Sequence, residues 1–150
     1  MIFRAHNTTS PATVTVKTKE QMPTHSETRT LPYTAQQMYD LVADVANYPK
    51  FLPWTAAARI RSREDRGDHM EMLADLVISF KVFRERFGSR VVLWPEQMKI
   101  DTEYLDGPFR HMHSNWGFTD VDDGVEVTFF VDFEFKNRIL QGAAGMFFYE

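Results

Sequence analysis

A long alternation of apolar and polar side chains near the end of the chain constrains the fold most strongly. From residue 125 to residue 135 every second position is Val or Phe, and most positions between them are Glu, Thr or Asp. Successive side chains of a β-strand point to opposite faces, so this pattern predicts a long strand with one buried face. The predicted buried positions are Val125, Val127, Phe129, Val131, Phe133 and Phe135.

The same period of two extends back to Ala56 and indicates about six strands, because turn-forming residues interrupt it. The short connections make neighbouring strands antiparallel. A strand near Thr24 brings the expected sheet to about seven strands. The interruptions fall at residues 66–68, 94–96, 106–108 and 122–124. One central strand is expected to turn inward Met70, Met72, Ala74, Leu76, Ile78 and Phe80.

A helix is predicted between the first two strands. Thr34 and Gln37 have the spacing of a capping box, and Tyr33 and Met38 that of a hydrophobic staple. The helix is expected to end between residues 44 and 47, since Pro49 disfavours helical geometry just before it. Its predicted apolar face consists of Met38, Leu41, Val42 and Val45.

The two ends of the chain have different expected roles. Residues 1–22 are rich in Thr and are predicted to be a flexible N-terminal extension, with one folded domain over residues 23–150. Asn137 can cap a final helix that is apolar around most of its circumference. No Gly or Pro stop signal precedes Glu150, so this helix is expected to be truncated.

Composition excludes several classes of protein. A chain of 150 residues with 43% apolar and 14% aromatic residues can bury a sizeable core. It has no Cys, which excludes disulfides, thiol nucleophiles and Cys-ligated metals. A net charge of −4 argues against a dedicated nucleic-acid binder, and DNA is not an expected partner. No apolar run approaches the roughly 20 residues of a membrane-spanning helix, so any membrane contact is expected to be peripheral.

The polar residues offer little catalytic chemistry. The sequence lacks a G-x-S-x-G elbow, a phosphate-binding Gly-rich loop and an H-E-x-x-H motif. His111 and His113 share one face of a predicted strand, but it is the face opposite the apolar pattern, and no third ligand accompanies them. Asp132 and Glu134 are expected to face solvent in the same way. We therefore predict neither a metal site nor a catalytic residue.

Six arginines on two strands allow two interpretations. If the strands flank a third that carries Glu71 and Asp75, the opposite charges form a solvated ladder on the outer face of the sheet. The alternative is a basic surface for an anionic partner. The arginines are Arg59, Arg61 and Arg63 on one strand and Arg84, Arg86 and Arg90 on the other.

The sequence gathers an unusual number of aromatic side chains toward one concave face. They indicate either a packed core or a preformed pocket for an apolar ligand, and sequence alone leaves both open. The residues concerned are Phe51, Trp54, Phe80, Phe83, Phe87, Phe109, Trp116, Phe118, Phe129 and Phe133.

The order of elements and three local motifs resemble a known family. The motifs are Tyr-Pro-x-Phe-x-Pro-Trp at residues 48–54, Gly-Pro-Phe at 107–109 and Trp-x-Phe at 116–118. With their flanking segments they resemble the START-like coenzyme Q-binding family, which includes RatA-like ribosome-association toxins. That family belongs to the wider polyketide cyclase/dehydrase-like superfamily.

This resemblance implies an α+β helix-grip fold, with a curved antiparallel sheet around a long C-terminal helix. It implies a non-enzymatic protein that holds ubiquinone or a related polyprenyl lipid in a hydrophobic tunnel, as a lipid chaperone or carrier supporting respiration and quinone biosynthesis. No cofactor is expected besides that ligand. The motif residues and inward-facing positions together form the expected ligand-binding set: Tyr48, Phe51, Pro53, Trp54, Leu76, Ile78, Phe80, Phe109, Trp116, Phe118, Phe129, Val131, Phe133 and Phe147.

The polar anchor of the ligand stays open, with Tyr48, Trp54, Arg90 and Asn115 as candidates. Two other functions also follow from the resemblance. The first is a RatA-like toxin that binds the large ribosomal subunit and blocks subunit association, against which the acidic charge counts. The second is an aromatase or cyclase, which needs an acid/base pair inside the pocket. The expected location is the cytoplasm or the inner membrane face of a bacterium, or the matrix side of the mitochondrial inner membrane.

Overall fold

A computed structural model gives the structure of the protein. It describes residues 13–16, 24–80 and 83–138, with the backbone alone described at 13–16, at Phe80 and at Phe83. Phe147 and the rest of the expected final helix lie outside these residues, apart from its first position at Arg138.

The described chain forms one antiparallel sheet with a short helical layer. The helical layer is α1 (Ala35–Ala43) followed by a 3-10 helix (Val45–Lys50). The sheet order is β1-β2-β8-β7-β6-β5-β4-β3. Its strands are β1 (Thr13–Val16), β2 (Thr24–Leu31), β3 (Thr55–Asp65), β4 (Met70–Phe80), β5 (Phe83–Trp94), β6 (Lys99–Asp106), β7 (Phe109–Val121) and β8 (Gly124–Phe135).

The six strands predicted after residue 55 are confirmed, and so are the four predicted turns. Six strands need a fifth connection, which the sequence analysis missed. It joins β4 to β5, where Phe80 and Phe83 are opposite each other in the register. The sequence there, Ser79 to Arg84, contains neither Gly nor Pro, so the usual signals of a turn are absent.

The sheet also has one strand more than expected. Within the segment predicted to be a flexible extension, β1 pairs with β2, and Thr13 lies opposite Thr28. The extra strand leaves the architecture unchanged, because it extends the sheet at one edge.

The predicted capping box is present at the start of α1. The Thr34 hydroxyl accepts a hydrogen bond from the Gln37 backbone N–H at 3.1 Å, and the Gln37 side chain accepts one from the Thr34 N–H at 2.9 Å. The Asp120 carboxylate on β7 accepts a third bond, from the Ala35 N–H at 2.8 Å. These bonds satisfy three N–H groups around the first turn of the helix and tie its start to the sheet.

The alternating positions of β8 face inward as predicted, and two apolar clusters form on the inner face. One packs against Met38, Val42 and Val45 of the helical layer. The other lies farther along the sheet and contains Ile78, Phe87, Phe109, Phe129, Val131, Phe133 and Phe135. Leu41 was predicted on the buried face of α1, but it remains 40% exposed.

The outer face carries the predicted charge ladder. Asp75 lies 2.6 Å from the Arg86 guanidinium and 3.3 Å from that of Arg61, and Arg86 also reaches Asp106 at 2.8 Å. Arg90 pairs with Glu103 at 3.2 Å. Exposed pairs contribute about 0–1 kcal/mol each, so this ladder adds little stability but neutralises much of the arginine charge.

Gly107 in the Gly-Pro-Phe motif has a conformation that other residues rarely adopt. Its φ is +137°, and an added Cβ would lie 2.7 Å from both the Arg86 carbonyl oxygen and the Phe87 Cβ. The turn before β7 therefore packs directly on the backbone of β5, which only glycine allows.

We expect Gly107→Ala to lower the free energy of unfolding by at least about 1–3 kcal/mol, because strain and a backbone clash add together. Chemical denaturation measures the change. Gly67→Ala is the matched control, because Gly67 also has a positive φ, of +94°, but open space around it. Equal losses in the two variants would contradict the role given to close packing at Gly107.

Candidate functional site

A cavity lies between the inner face of β4–β8 and the helical layer. Together with its open mouth it has a volume of about 1030 Å³. Its wall is largely apolar, as is usual for sites that bind small molecules. The described lining residues are Leu41, Val42, Tyr48, Phe51, Leu52, Leu76, Ile78, Phe87, Thr102, Phe109, Met112, Ser114, Trp116, Phe129, Val131, Phe133 and Phe135.

Phe109 lies at the centre of the aromatic wall. Its ring stacks on Phe135 with centroids 4.5 Å apart, and meets Phe87 edge to face at 5.5 Å. The Tyr104 hydroxyl accepts a hydrogen bond from the Phe109 N–H at 3.1 Å, and the Tyr104 ring lies edge-on to that of Phe109. Such contacts fix ring positions, so this end of the cavity has a defined shape.

Tyr48 connects the 3-10 helix to α1. Its hydroxyl donates a hydrogen bond to the Val42 carbonyl, one of the carbonyls that the end of a helix leaves without an intrahelical partner. Burial raises the pKa of Tyr48 well above its ordinary value, and the nearby Asp44 carboxylate acts in the same direction. The hydroxyl therefore stays protonated, and its donor serves the fold while the ring lines the cavity.

Most of the residues expected to bind ligand lie together on this wall. Phe118 instead packs under α1, 6.0 Å from the Tyr39 ring, because the long strand β7 crosses both apolar clusters. Trp54 packs against the aromatic cluster without lining the cavity, and Pro53 is exposed. The side chain of Phe80 and all of Phe147 lie outside the described residues. Those on the wall are Tyr48, Phe51, Leu76, Ile78, Phe109, Trp116, Phe129, Val131 and Phe133.

Of the candidate polar anchors, Tyr48 lines the cavity, whereas Arg90 and Asn115 face away from it. Arg90 pairs with Glu103 on the outer face, and Asn115 follows the inward-facing Ser114, so strand alternation turns it outward. The polar groups that sequence reasoning missed are Thr102 and Ser114. Their signal was present, because each interrupts a run of inward-facing apolar residues with a hydroxyl.

A charged cluster lies beside the cavity on β2. Glu27 is buried, and its carboxylate contacts the His25 imidazole at 3.2 Å and the Arg29 guanidinium at 2.5 Å. His25 also packs near the Phe129 ring, at a centroid distance of 6.3 Å. The sequence predicted a strand near Thr24, and the structure turns the charged residues of this strand inward, where the carboxylate compensates the cation.

The histidines of β7 are placed as predicted, away from the cavity. His111 lies 3.4 Å from Asp132 and 3.9 Å from Glu134, and His113 is exposed. Over the described ranges, no three His, Asp or Glu residues are grouped so that they could hold a metal ion. The helical segments described here also include none that is long and apolar enough to cross a membrane.

The helix-grip fold and the apolar cavity together define a START-like domain, as the resemblance of the sequence predicts. Residues 31–150 match the family described as polyketide cyclase / dehydrase and lipid transport, and the chain belongs to this family.

Two kinds of protein are similar to this chain in sequence. The ribosome association toxin RatA of Rickettsia prowazekii is 37% identical over 130 residues, which are 85% of this chain and 86% of the toxin. The mitochondrial coenzyme Q-binding protein COQ10 of Drosophila melanogaster is 33% identical over 121 residues, which are 77% of this chain but 48% of that protein.

Solved structures confirm the fold class. The solution structure of an 18 kDa protein from Caulobacter crescentus has a TM-score of 0.71 and 33% identity, over 82% of this chain and 83% of that one. The aromatase/cyclase ZhuI of Streptomyces has a TM-score of 0.67 at 22% identity, over 76% of this chain and 68% of that one. At 22% identity, the similarity to the aromatase/cyclase indicates a shared fold and nothing more.

We expect Tyr48→Phe to lower the free energy of unfolding by about 1–3 kcal/mol, because it leaves the Val42 carbonyl without its partner. The pH dependence provides a second readout. The folded-state pKa of Tyr48 is raised above the ordinary 10.0, so its contribution is complete below pH 10 and is lost as the pH rises further. As the pH rises above 10, the free energy of unfolding should therefore fall less for Tyr48→Phe than for the wild type.

Tyr33→Phe is the control, because Tyr33 is half exposed. Its stability should change by less than about 0.5 kcal/mol. Equal shifts of the denaturation midpoint in the two variants would contradict a stabilising role for the Tyr48 hydrogen bond.

Proposed function

We propose that this protein is a non-enzymatic carrier that binds an elongated hydrophobic molecule, with a polyprenyl quinone such as ubiquinone as its candidate ligand. The observation that carries the proposal is the cavity, whose described wall is almost entirely apolar and rich in aromatic rings. Burial of a polyprenyl tail is favourable by about 0.8 kcal/mol for each CH₂, so such a wall is suited to a long hydrocarbon. The likeness to a coenzyme Q-binding protein supports the same ligand class.

The residues that line the cavity favour a carrier function over an enzymatic one. An aromatase or cyclase needs groups that transfer protons at the substrate. Of the described lining side chains, Tyr48, Thr102 and Ser114 carry hydroxyls and Trp116 carries an indole N–H, and none is a carboxylate or an imidazole. Hydroxyl and indole groups are poor general bases near neutral pH, which supports the non-enzymatic interpretation.

The mouth of the cavity suits exchange with a lipid surface. Leu41 and Phe51 line the cavity and are each 40% exposed, so they present apolar surface at its mouth. We propose that they make the peripheral membrane contact expected from the sequence. The membrane concerned would be the inner membrane of a bacterium or of a mitochondrion.

The first experiment is organic extraction of the purified full chain, before and after incubation with ubiquinone, with mass spectrometry and a redox-difference spectrum of the extract. We expect a polyprenyl quinone in stoichiometric amount. An extract that stays empty after incubation would overturn the proposal.

A cavity-filling substitution tests where the ligand lies. Leu76→Trp places a larger side chain on the cavity wall, and we expect it to reduce recovered quinone at least tenfold, because the indole occupies ligand volume. Val77→Trp is the matched control, since strand alternation places residue 77 on the opposite face of β4. Equal recovery from the two variants would show that quinone binds elsewhere.

A ribosome-directed function is the second candidate, and the similarity to RatA over most of both chains favours it. The outer face of the sheet argues against this function. There Arg86 and Arg90 are paired with carboxylates, which reduces the positive charge available to RNA phosphates. Co-sedimentation with 50S subunits tests it. Binding through arginine contacts with phosphate should weaken steeply between about 50 and 200 mM salt. Salt-sensitive pelleting together with an empty extract would favour this candidate over the carrier.

A further inference from the structure

The cavity wall contains a pair of hydroxyl groups on neighbouring strands. Thr102 on β6 and Ser114 on β7 are opposite each other in the register, and both line the cavity. Side chains opposite each other in an antiparallel pair have Cβ atoms about 4.5–5.5 Å apart, so two hydroxyls at these positions can reach one ligand atom. Their neighbours on the inner face, Met112 and Trp116, are apolar or aromatic.

Ser114 is 7% exposed, and neither hydroxyl takes part in a hydrogen bond within the described part of the chain. Thr102 is half-buried, and both hydroxyls face the cavity, where each is available to a ligand oxygen. Other inward positions of the same strands are apolar or aromatic, such as Ile100 and Trp116. The described fold makes no use of these two hydroxyls.

We infer that Thr102 and Ser114 form the polar anchor of the ligand site and select a neutral molecule that bears a carbonyl or hydroxyl oxygen. Each hydroxyl can donate one hydrogen bond to such an oxygen. The described lining includes no cationic side chain, so a carboxylate buried there would lack a counter-charge. This inference rests on the proposed function and adds to it a criterion of ligand class: a quinone or other neutral oxygenated lipid is accepted, and an ionised fatty acid is disfavoured.

Three of the four donors named from the sequence are engaged in the fold or lie on the other face of the sheet. The Tyr48 hydroxyl is engaged with the Val42 carbonyl. Arg90 and Asn115 lie on the outer face of the sheet. Besides Tyr48, the donors among the described lining side chains are Thr102, Ser114 and the indole N–H of Trp116, and of these Thr102 and Ser114 are opposite each other in the register.

The test compares the full-length wild type with the double variant Thr102→Val and Ser114→Ala. Three probes are partitioned between phosphatidylcholine vesicles and protein: decylubiquinone, dodecylbenzene as a hydrocarbon without oxygen, and palmitate at pH 8. We expect the wild type to bind decylubiquinone most tightly and palmitate most weakly. The double variant should lose about threefold to thirtyfold in affinity for decylubiquinone, as one or two hydrogen bonds would give, with dodecylbenzene affinity unchanged or higher.

Thermal unfolding separates an anchor from a structural role. The double variant should have a Tm about equal to that of the wild type in the absence of ligand, because it removes no hydrogen bond of the described fold. His113→Ala, on the outer face of β7, is the control and should bind all three probes as the wild type does.

The outcomes distinguish three failures. A wild type that binds neither decylubiquinone nor dodecylbenzene would overturn the carrier function and this inference with it. A wild type that binds both, with no selective loss of decylubiquinone in the double variant, would overturn the hydroxyl anchor alone. Palmitate binding tighter than that of decylubiquinone would overturn the preference for a neutral ligand.

Discussion

The burial of one apolar sheet face governs the rest of this structure. Strands β4 to β8 all turn large apolar side chains to the same side, and the described helical layer that covers them is short, with nine residues in α1 and six in the 3-10 helix. That layer packs on one of the two apolar clusters. The second cluster, which contains Phe87, Phe109 and Phe133, forms the wall of a cavity. The site is thus a consequence of how the sheet face is covered.

The strands could be predicted because their signals are local. The alternation of β8, the capping box of α1 and the Gly-containing turns each depend on a few neighbouring residues. The connection between β4 and β5 could not be predicted, because no Gly or Pro marks it and Phe80 and Phe83 continue the apolar pattern. The inward-facing charges of β2 were missed for a related reason: His25 and Glu27 are buried because they contact each other, which their sequence spacing does not reveal.

The candidate site was only partly accessible to sequence reasoning. Aromatic residues on inward positions were identified because pattern alone places them, yet the same pattern placed Phe118 in the site when it packs under α1. Two of the candidate head-group donors, Arg90 and Asn115, lie on the outer face, because side-chain polarity was considered apart from strand face. Arg90 is polar and faces outward, whereas Ser114 is polar and faces inward. The face of a strand decides which polar residue can meet a ligand.

Helix α1 is held at both ends. Asp120 accepts a hydrogen bond from its first residue, and Tyr48 donates one to a carbonyl near its last turn. A helix fixed in this way cannot swing outward as a lid without breaking both bonds. If the protein carries a ligand as proposed, α1 would stay in place during exchange, and movement beside this helix would be confined to rim side chains such as Leu41 and Phe51. Rotamer changes of such side chains take picoseconds to nanoseconds, so they would not limit the rate of exchange.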